Sequence, residues 1–276
     1  MITLLNFADD TFKSKQNWNS FTAKLFGKID NIIEYTPKDI DAVFLSENKK
    51  LFKYNKGFGN YFWKPYLINK ALKKINEGDY LFYADSGSIF LKSILPLIEH
   101  LEKNNKKILS FSLPLIEKQW TKRDSFFLME CDDPKYTDTC QILSGFILIK
   151  KCYESENFIN QFLTYSMDER VLSDAENVMG LPNHSEFIAH RHDQSIFSLL
   201  CKKNIDIVLV EGDLSDYGYF PQNYLYKQEY IYNKEMLDND KYIFKGTVLC
   251  NRKVNPLKYY LKYLIKRILN KFNLKI

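Results

Sequence analysis

An α/β fold built on a mostly parallel sheet is predicted by three observations. Short apolar runs of strand length recur along the chain. Between them lie stretches of about 10–20 residues, several with apolar positions at three- and four-residue spacing, the helical period. The 276 residues, 45% apolar and 26% charged, suffice for one large domain or two small ones with an ordinary core. In order, Ile2–Phe7 and Asn31–Tyr35 read as buried strands. Lys64–Asn76 reads as a helix, because Trp63, Leu67, Ile68, Ala71, Leu72 and Ile75 share one face, with Gly78 as its C-terminal stop. Tyr80–Ala84 is a strand ending at Asp85, Ile94–Lys103 a helix, Lys107–Ser112 a strand and Gln141–Ile149 a longer strand. Phe158–Tyr165 and Asp193–Cys201 are helices, and Ile205–Val210 is the last strand. Strand alternating with helix is the pattern of an α/β sheet. The one composition break, near residue 250, separates a body (1–250) from a tail (251–276).

The formal charge of +5 lies in that tail. Residues 251–276 hold eight Lys and Arg and no Asp or Glu, leaving 31 basic against 34 acidic groups in the body. A mildly acidic body excludes a general polyanion-binding surface, and 34 Lys against 5 Arg disfavours arginine-based nucleic-acid readout. Five cysteines without a C-x-x-C spacing fit neither a disulfide framework nor a zinc ribbon. The first residues turn acidic by Asp9 and do not read as a signal peptide, and no run reaches about 18 apolar residues. These features point to the cytoplasm.

Ligands of open α/β sheets bind at the carboxyl ends of strands, so chemistry is sought there. Tyr80–Ala84 delivers Asp85 into the small-residue turn Ser86-Gly87-Ser88. A hard oxygen ligand where backbone can approach closely suits a divalent cation bridging a diphosphate; alternatively Asp85 caps the next helix. His190-Arg191-His192-Asp193-Gln194-Ser195 opens a helix, where polar groups can face an anionic ligand; alternatively Asp193 is a plain N-cap. The three histidines nearby match no zinc spacing. Gly57-Phe58-Gly59-Asn60-Tyr61-Phe62-Trp63-Lys64-Pro65 is neither a dinucleotide fingerprint nor a P-loop. Its Lys64 either presents a cation to phosphate or is solvated beside a core Trp. There is no G-x-S-x-G, no H-E-x-x-H and no kinase signature.

Taken in order, the aromatic Gly segment running into Trp63-Lys64-Pro65, the strand ending at Asp85-Ser86-Gly87, the Gln141-to-Gly145 strand and His192-Asp193-Gln194-Ser195 resemble bacterial GT-A glycosyltransferases of surface polysaccharide (capsule or lipopolysaccharide) assembly. The resemblance covers about residues 1–210 and implies a GT-A-like, Rossmann-like sheet. It implies a nucleotide-sugar donor, a UDP-sugar first among them, lying near Phe7, Ala8, Tyr35 and Thr36. Asp85, with Ser86 and Gly87, would hold Mn²⁺ or Mg²⁺ on the diphosphate, and Lys64 would add a second positive charge. Gly87 stands where a strict D-x-D motif has its second Asp. Asp193 would orient sugar hydroxyls or take the acceptor proton, and Gln194 would lie beside the reacting carbon. Asp138, Gln141, His190 and His192 would line the side facing a glycan or lipid-linked acceptor. Two other readings stand beside it: a phosphohydrolase or nucleotidyltransferase using Asp85, and a non-catalytic glycan- or partner-binding module.

In the tail, Asn255-Pro256 breaks the chain, and Leu257, Leu261, Leu264, Ile265, Ile268 and Phe272 then share one helical face. Lys258, Lys262 and Lys266 lie on the flank and opposite face, and Tyr259, Tyr260 and Tyr263 suit an interfacial position. This predicts a basic amphipathic helix on an anionic membrane, hence a peripheral protein on the inner face; alternatively the stripe packs on the body or on a second copy in a homodimer.

Overall fold

The computed structural model describes residues 1–215, 230–237, 242–251 and 254–271. In the tail, Phe272 of the expected apolar face and the basic residues Arg252, Lys253 and Lys275 lie outside this set. Seven strands come first in the chain: β1 (Ile2–Phe7), β2 (Asn31–Tyr35), β3 (Tyr80–Ala84), β4 (Ser88–Phe90), β5 (Ile108–Ile116), β6 (Cys140–Lys150) and β7 (Ile207–Glu211). Six of them form one sheet in the order β2-β1-β3-β6-β5-β7. Its strands run parallel except β6, which is antiparallel to both β3 and β5. β4 pairs with β8 (Val248–Cys250) in a separate two-stranded ribbon.

The apolar runs of the central strands follow from burial on both faces, since successive side chains point to opposite sides; β2, expected to be buried, is instead an edge strand with Asn31 and Glu34 exposed. Leu5, Leu81, Tyr83, Ile147 and Ile149 face one layer of core, and Leu4, Phe82, Ala84, Phe146 and Leu148 face the other. Five of the principal helices are α1 (Lys13–Thr22), α2 (Trp63–Leu72), α3 (Leu95–Lys103), α4 (Tyr153–Ser166) and α5 (Asp193–Lys203). The first core layer is closed by Leu67 and Ile68 of α2, Phe158 and Phe162 of α4, and Ile196 and Phe197 of α5. The second is closed by Leu97 and Leu101 of α3.

α1 docks differently. Its buried residues are polar: Gln16, Asn19, Ser20 and Thr22. Asn6 of β1 donates to Asn19 at 2.7 Å, Gln16 donates to Asn6 at 3.0 Å, and Asn19 donates to the Ser88 carbonyl at 2.8 Å. A closed polar network satisfies these groups inside the fold.

Several element boundaries move. The helix expected over 64–76 ends at Leu72, and Gly78 instead sits at φ 80° with its N–H on the Lys151 carbonyl, 2.9 Å away, in the turn into β3. β5 continues past Pro114 to Ile116, with register breaks where it leaves regular pairing. The helix of the tail, α6 (Pro256–Lys271), packs Tyr263 with the partly buried Tyr259, Tyr260 and Leu264 against Ile89 and Leu249 of the ribbon. The tyrosines therefore face the body.

The topology sets the site. β1, β2, β3 and β5 deliver their carboxyl ends to one edge, and antiparallel β6 brings its beginning there. That edge gathers Phe7, Asp85 and the segment from Gln141 to Gly145.

Candidate active site

β3 ends because Asp85 enters a turn closed by its own carbonyl, which accepts from the Ser88 N–H at 3.0 Å and the Ser88 hydroxyl at 2.7 Å. The Asp85 N–H is held by the Gly145 carbonyl of β6 at 2.9 Å. The Tyr83 hydroxyl donates to Asp85 Oδ1 at 2.8 Å. Burial first, and then the neighbouring Asp85 charge, push the Tyr83 phenol well above its ordinary pKa, so it remains a donor. A Cβ at Gly145 would lie 3.0 Å from Asp85 Oδ2, so glycine there leaves room for the carboxylate. The Ser86 hydroxyl ties this turn to the Phe7 carbonyl at the end of β1.

Lys64 enters from the first turn of α2 and Asp193 from the first turn of α5. Both are almost fully buried, 3% exposed each, and Lys64 Nζ lies 2.5 Å from Asp193 Oδ2. Ser144 of β6 closes the triangle, its hydroxyl accepting from Lys64 at 3.1 Å and donating to Asp193 Oδ2 at 2.8 Å. The Lys64 ammonium also lies 5.1 Å from the Tyr83 ring centroid and 5.6 Å from that of Tyr61. Burial opposes the Lys64 charge, but the carboxylates of Asp193 and Asp85 outweigh it and raise the lysine pKa. Asp193 does not cap α5: the N-cap is His192, without a side-chain cap bond. His192 has φ 53° and ψ −118°, an uncommon backbone for a non-glycine residue, immediately before Asp193.

Beside Asp193, Gln194 is half-buried and its Nε2 donates to Gln141 Oε1 at 2.8 Å. Gln141 in turn donates through Nε2 to Glu117 at 3.0 Å. Glu117 is fully buried and also accepts from Thr121 at 2.6 Å, Lys202 at 2.7 Å and Ser198. An ionised carboxylate only accepts. It therefore fixes which end of the Gln141 amide faces Gln194, and so turns Gln194 Oε1 the other way, toward the Ser144 N–H.

The segment before Lys64 is strained. Gly57, Phe58, Gly59, Asn60 and Tyr61 all have positive φ (56°, 52°, 82°, 54° and 64°), yet Tyr61 N–H reaches the Gly57 carbonyl as in a helix. It is one turn of left-handed helix, a conformation that costs about 1–2 kcal/mol per non-glycine residue. Trp63 Nε1 donates to the Gly57 carbonyl at 2.9 Å, and a Cβ at Gly57 would meet the Tyr61 ring at 2.5 Å. The turn thus lays Tyr61 over Gly57 and beside Lys64. Strain of this kind persists where the surroundings over-determine it.

The other expected residues scatter. Phe7 stacks on Trp63, ring centroids 3.8 Å apart, and Ala8 is buried with its N–H on the Tyr35 carbonyl at 3.1 Å. The Tyr35 ring is in the core, and Thr36 is engaged by Asp39 in a capping box, two bonds of 2.8 Å. Asp138 pairs with Lys118 at 3.1 Å, away from the Lys64–Asp193 cluster. His190 and His192 are buried, bonded to the Val171 and Leu172 carbonyls at 2.9 and 3.0 Å. Desolvation lowers both pKa values and keeps the rings neutral, so they brace the 169–172 turn against α5. Tyr83, Ser144 and Glu117 are members of the cluster that no sequence motif marks. Glu117 carried a signal, a carboxylate directly after the apolar run Leu113–Ile116.

Asp85 is the carboxylate available to a divalent cation. The described residues contain no group of three or more His, Cys, Asp or Glu suited to a metal. One carboxylate fits a magnesium-type ion, which keeps several waters and takes phosphate oxygens from its substrate.

No protein-family model matches this sequence, and no curated protein matches it. Solved structures do. The galactosyltransferase LgtC, in complex with donor and acceptor sugar analogs, superposes with a TM-score of 0.50 at 11% identity, covering 98% of this chain and 95% of its own. The fold is GT-A-like. Mouse xyloside xylosyltransferase 1 matches at TM-score 0.42 and 13% identity, over 77% of this chain and 86% of its own. A glycosyltransferase involved in glycosylation of the major capsid of PBCV-1 matches at 0.44 and 13%, over 78% and 84%.

Proposed function

We propose that this chain transfers a sugar from a nucleoside diphosphate donor, a UDP-sugar first among candidates, to a glycan or lipid-linked acceptor in surface polysaccharide assembly. The observation that carries the reading is the buried Lys64–Asp193 pair beside Asp85 at the carboxyl edge of the sheet. The nucleotide lies along the ends of β1 and β2, at Phe7, Ala8, Tyr35 and Thr36. A divalent cation, when bound, neutralises the charge that develops on the departing diphosphate, and Asp85 with the Ser86-Gly87 turn holds it. Lys64 supplies fixed positive charge from a water-poor position, where it needs no reorganisation. Asp193 bonds Lys64 and Ser144 through Oδ2 and turns Oδ1 to a sugar hydroxyl. Gln194, oriented by Gln141 and Glu117, places its amide oxygen beside the reacting carbon. In the reaction the bond from the sugar to the diphosphate breaks, the acceptor oxygen takes its place on the sugar carbon, and the acceptor hydroxyl's proton passes to the departing diphosphate. The acceptor approaches past Gln194; Gln141, His190 and His192, expected to face it, are buried and brace that side from within, and Asp138 is engaged by Lys118.

In this reading residues 1–250 are the catalytic unit and 251–276 an appended tail that contacts an anionic membrane at the cytoplasmic face, with a homodimer as the alternative use of the tail. Among the described residues no helix is long and apolar enough to cross a membrane. Thermal shift with UDP-, GDP- and CDP-sugars, with and without Mn²⁺, tests the donor class: one nucleotide series stabilises the protein, more so with the ion. No stabilisation by any of them would favour a non-catalytic binding module, which Gly87 at the second D-x-D position would explain.

A further inference from the structure

α6 has three faces. Tyr263 is buried, with Tyr259, Tyr260 and Leu264 beside it against the ribbon. At 3.6 residues per turn, Leu257, Leu261, Ile265 and Ile268 fall within about 80° of one another on a second face. They are 46–57% exposed. Lys258 and Lys262 border that ridge on its outer side.

On its other side the ridge meets α1. Tyr260 borders it, with its ring 6.1 Å from Trp18, and Trp18 lies 6.0 Å from Phe21. Phe21 and Leu25, one helical turn apart, are 58% and 56% exposed. The buried face of α1 is polar and bonded inside the fold, and its exposed face runs from Ser14 and Asn17 to Phe21, with Leu25 just beyond the helix end. Of the three lysines in residues 13–27, Lys13 pairs with Glu34 at 2.9 Å, which leaves the charges of Lys15 and Lys24; residues 251–276 carry no acid.

We propose that α1, the turn Ala23–Gly27 that follows it and α6 form one continuous docking face for an anionic phospholipid bilayer, with Phe21 and Leu25 inserting beside Leu257, Leu261, Ile265 and Ile268. An exposed apolar ridge, a lysine border and a Trp–Tyr edge match the acyl boundary, the anionic headgroups and the interfacial zone of such a surface. The inference extends the membrane contact assigned above to the tail, since it adds a part of the body. It is independent of sugar transfer.

The test is co-sedimentation of the full chain, without donor, with vesicles of phosphatidylcholine alone or mixed with phosphatidylglycerol. The chain is expected to bind the mixed vesicles and to be released by salt. Phe21→Ser/Leu25→Ser and Leu261→Ser/Ile265→Ser are each expected to weaken binding about tenfold or more. Lys258→Gln is expected to cost about fivefold, on the anionic vesicles only. Unchanged thermal unfolding shows that these exposed changes spare the fold. Wild-type binding by Phe21→Ser/Leu25→Ser would overturn the proposal, because the body would then contribute nothing. So would failure of the chain to bind either vesicle, or a concentration-dependent dimer that the same variant makes monomeric, which would assign the face to a second copy. Because no donor is present, any of these outcomes leaves the glycosyltransferase reading standing.

Discussion

Lys64→Met removes an ammonium and leaves Asp193 buried with Ser144 as its remaining partner at Oδ2, 2.8 Å away. Lys64 makes bonds of 2.5 Å to Asp193 and of 3.1 and 3.3 Å to Ser144, so one substitution vacates three contacts in a site where both charged residues are 3% exposed. Breaking a buried pair from one side costs about 3–5 kcal/mol, whereas replacing both partners by apolar groups is often close to neutral. For a chain of this size that is a fall in Tm of about 10 °C for Lys64→Met or Asp193→Leu, and a smaller one for the double variant. The assay is urea and thermal unfolding of wild type, both single variants and the double, as a cycle. The pH of the assay follows from the lysine. Its folded-state pKa lies above the ordinary 10.5, so its contribution is fully present below that value and fades as pH climbs through the folded one. Measurement at neutral pH therefore reads the whole effect. Single variants within about 1 kcal/mol of wild type, or losses that simply add, would refute the buried-pair argument.

Three further outcomes are expected. Gly145→Ala pushes a methyl to 3.0 Å from Asp85 Oδ2, and should abolish cation-dependent donor binding in a thermal-shift titration while unfolding within about 2 kcal/mol of wild type. Glu117→Gln lets the Gln141 amide turn either way; kcat should fall about tenfold or more with KM little changed, and Glu117→Asp should recover part of the loss. His190 is held neutral, its pKa well below the ordinary 6.5, so its contribution is present above that value and lost as pH falls through the folded one. The stability of wild type should therefore drop as pH falls below 6.5, with His190 accounting for up to about 1.4 kcal/mol per pH unit, and His190→Gln should show a shallower slope in pH-dependent unfolding.

The strands were legible where burial on both faces makes most residues apolar, as in Ile2–Phe7, Thr3 and Asn6 excepted, and Tyr80–Ala84. Strand direction was not, because β6 reads like its parallel neighbours and only its pairing turns it round. Pro114 concealed the end of β5, and β4 and β8, three residues each, are too short to announce themselves. Asp85, Lys64 and Asp193 could each be singled out from a strand end or a helix start. Their meeting could not, since Lys64 and Asp193 are 129 positions apart. Tyr83 and Ser144 read as ordinary strand residues, and their role depends on the antiparallel pairing of β3 with β6. In the tail the apolar spacing correctly marked a helix. Which face it buries was decided by the ribbon, which receives the tyrosines and Leu264 and leaves Leu257, Leu261, Ile265 and Ile268 outside.

The central claim, sugar transfer from a nucleoside diphosphate donor, is tested most directly by product analysis. The protein is incubated with UDP-, GDP- and CDP-sugars and a divalent cation, and the nucleotide products are separated. The account predicts release of the nucleoside diphosphate from one donor series, lost in Asp85→Asn and Asp193→Asn proteins that remain folded. A nucleoside monophosphate with a sugar phosphate, or equal release by Asp85→Asn, would contradict it.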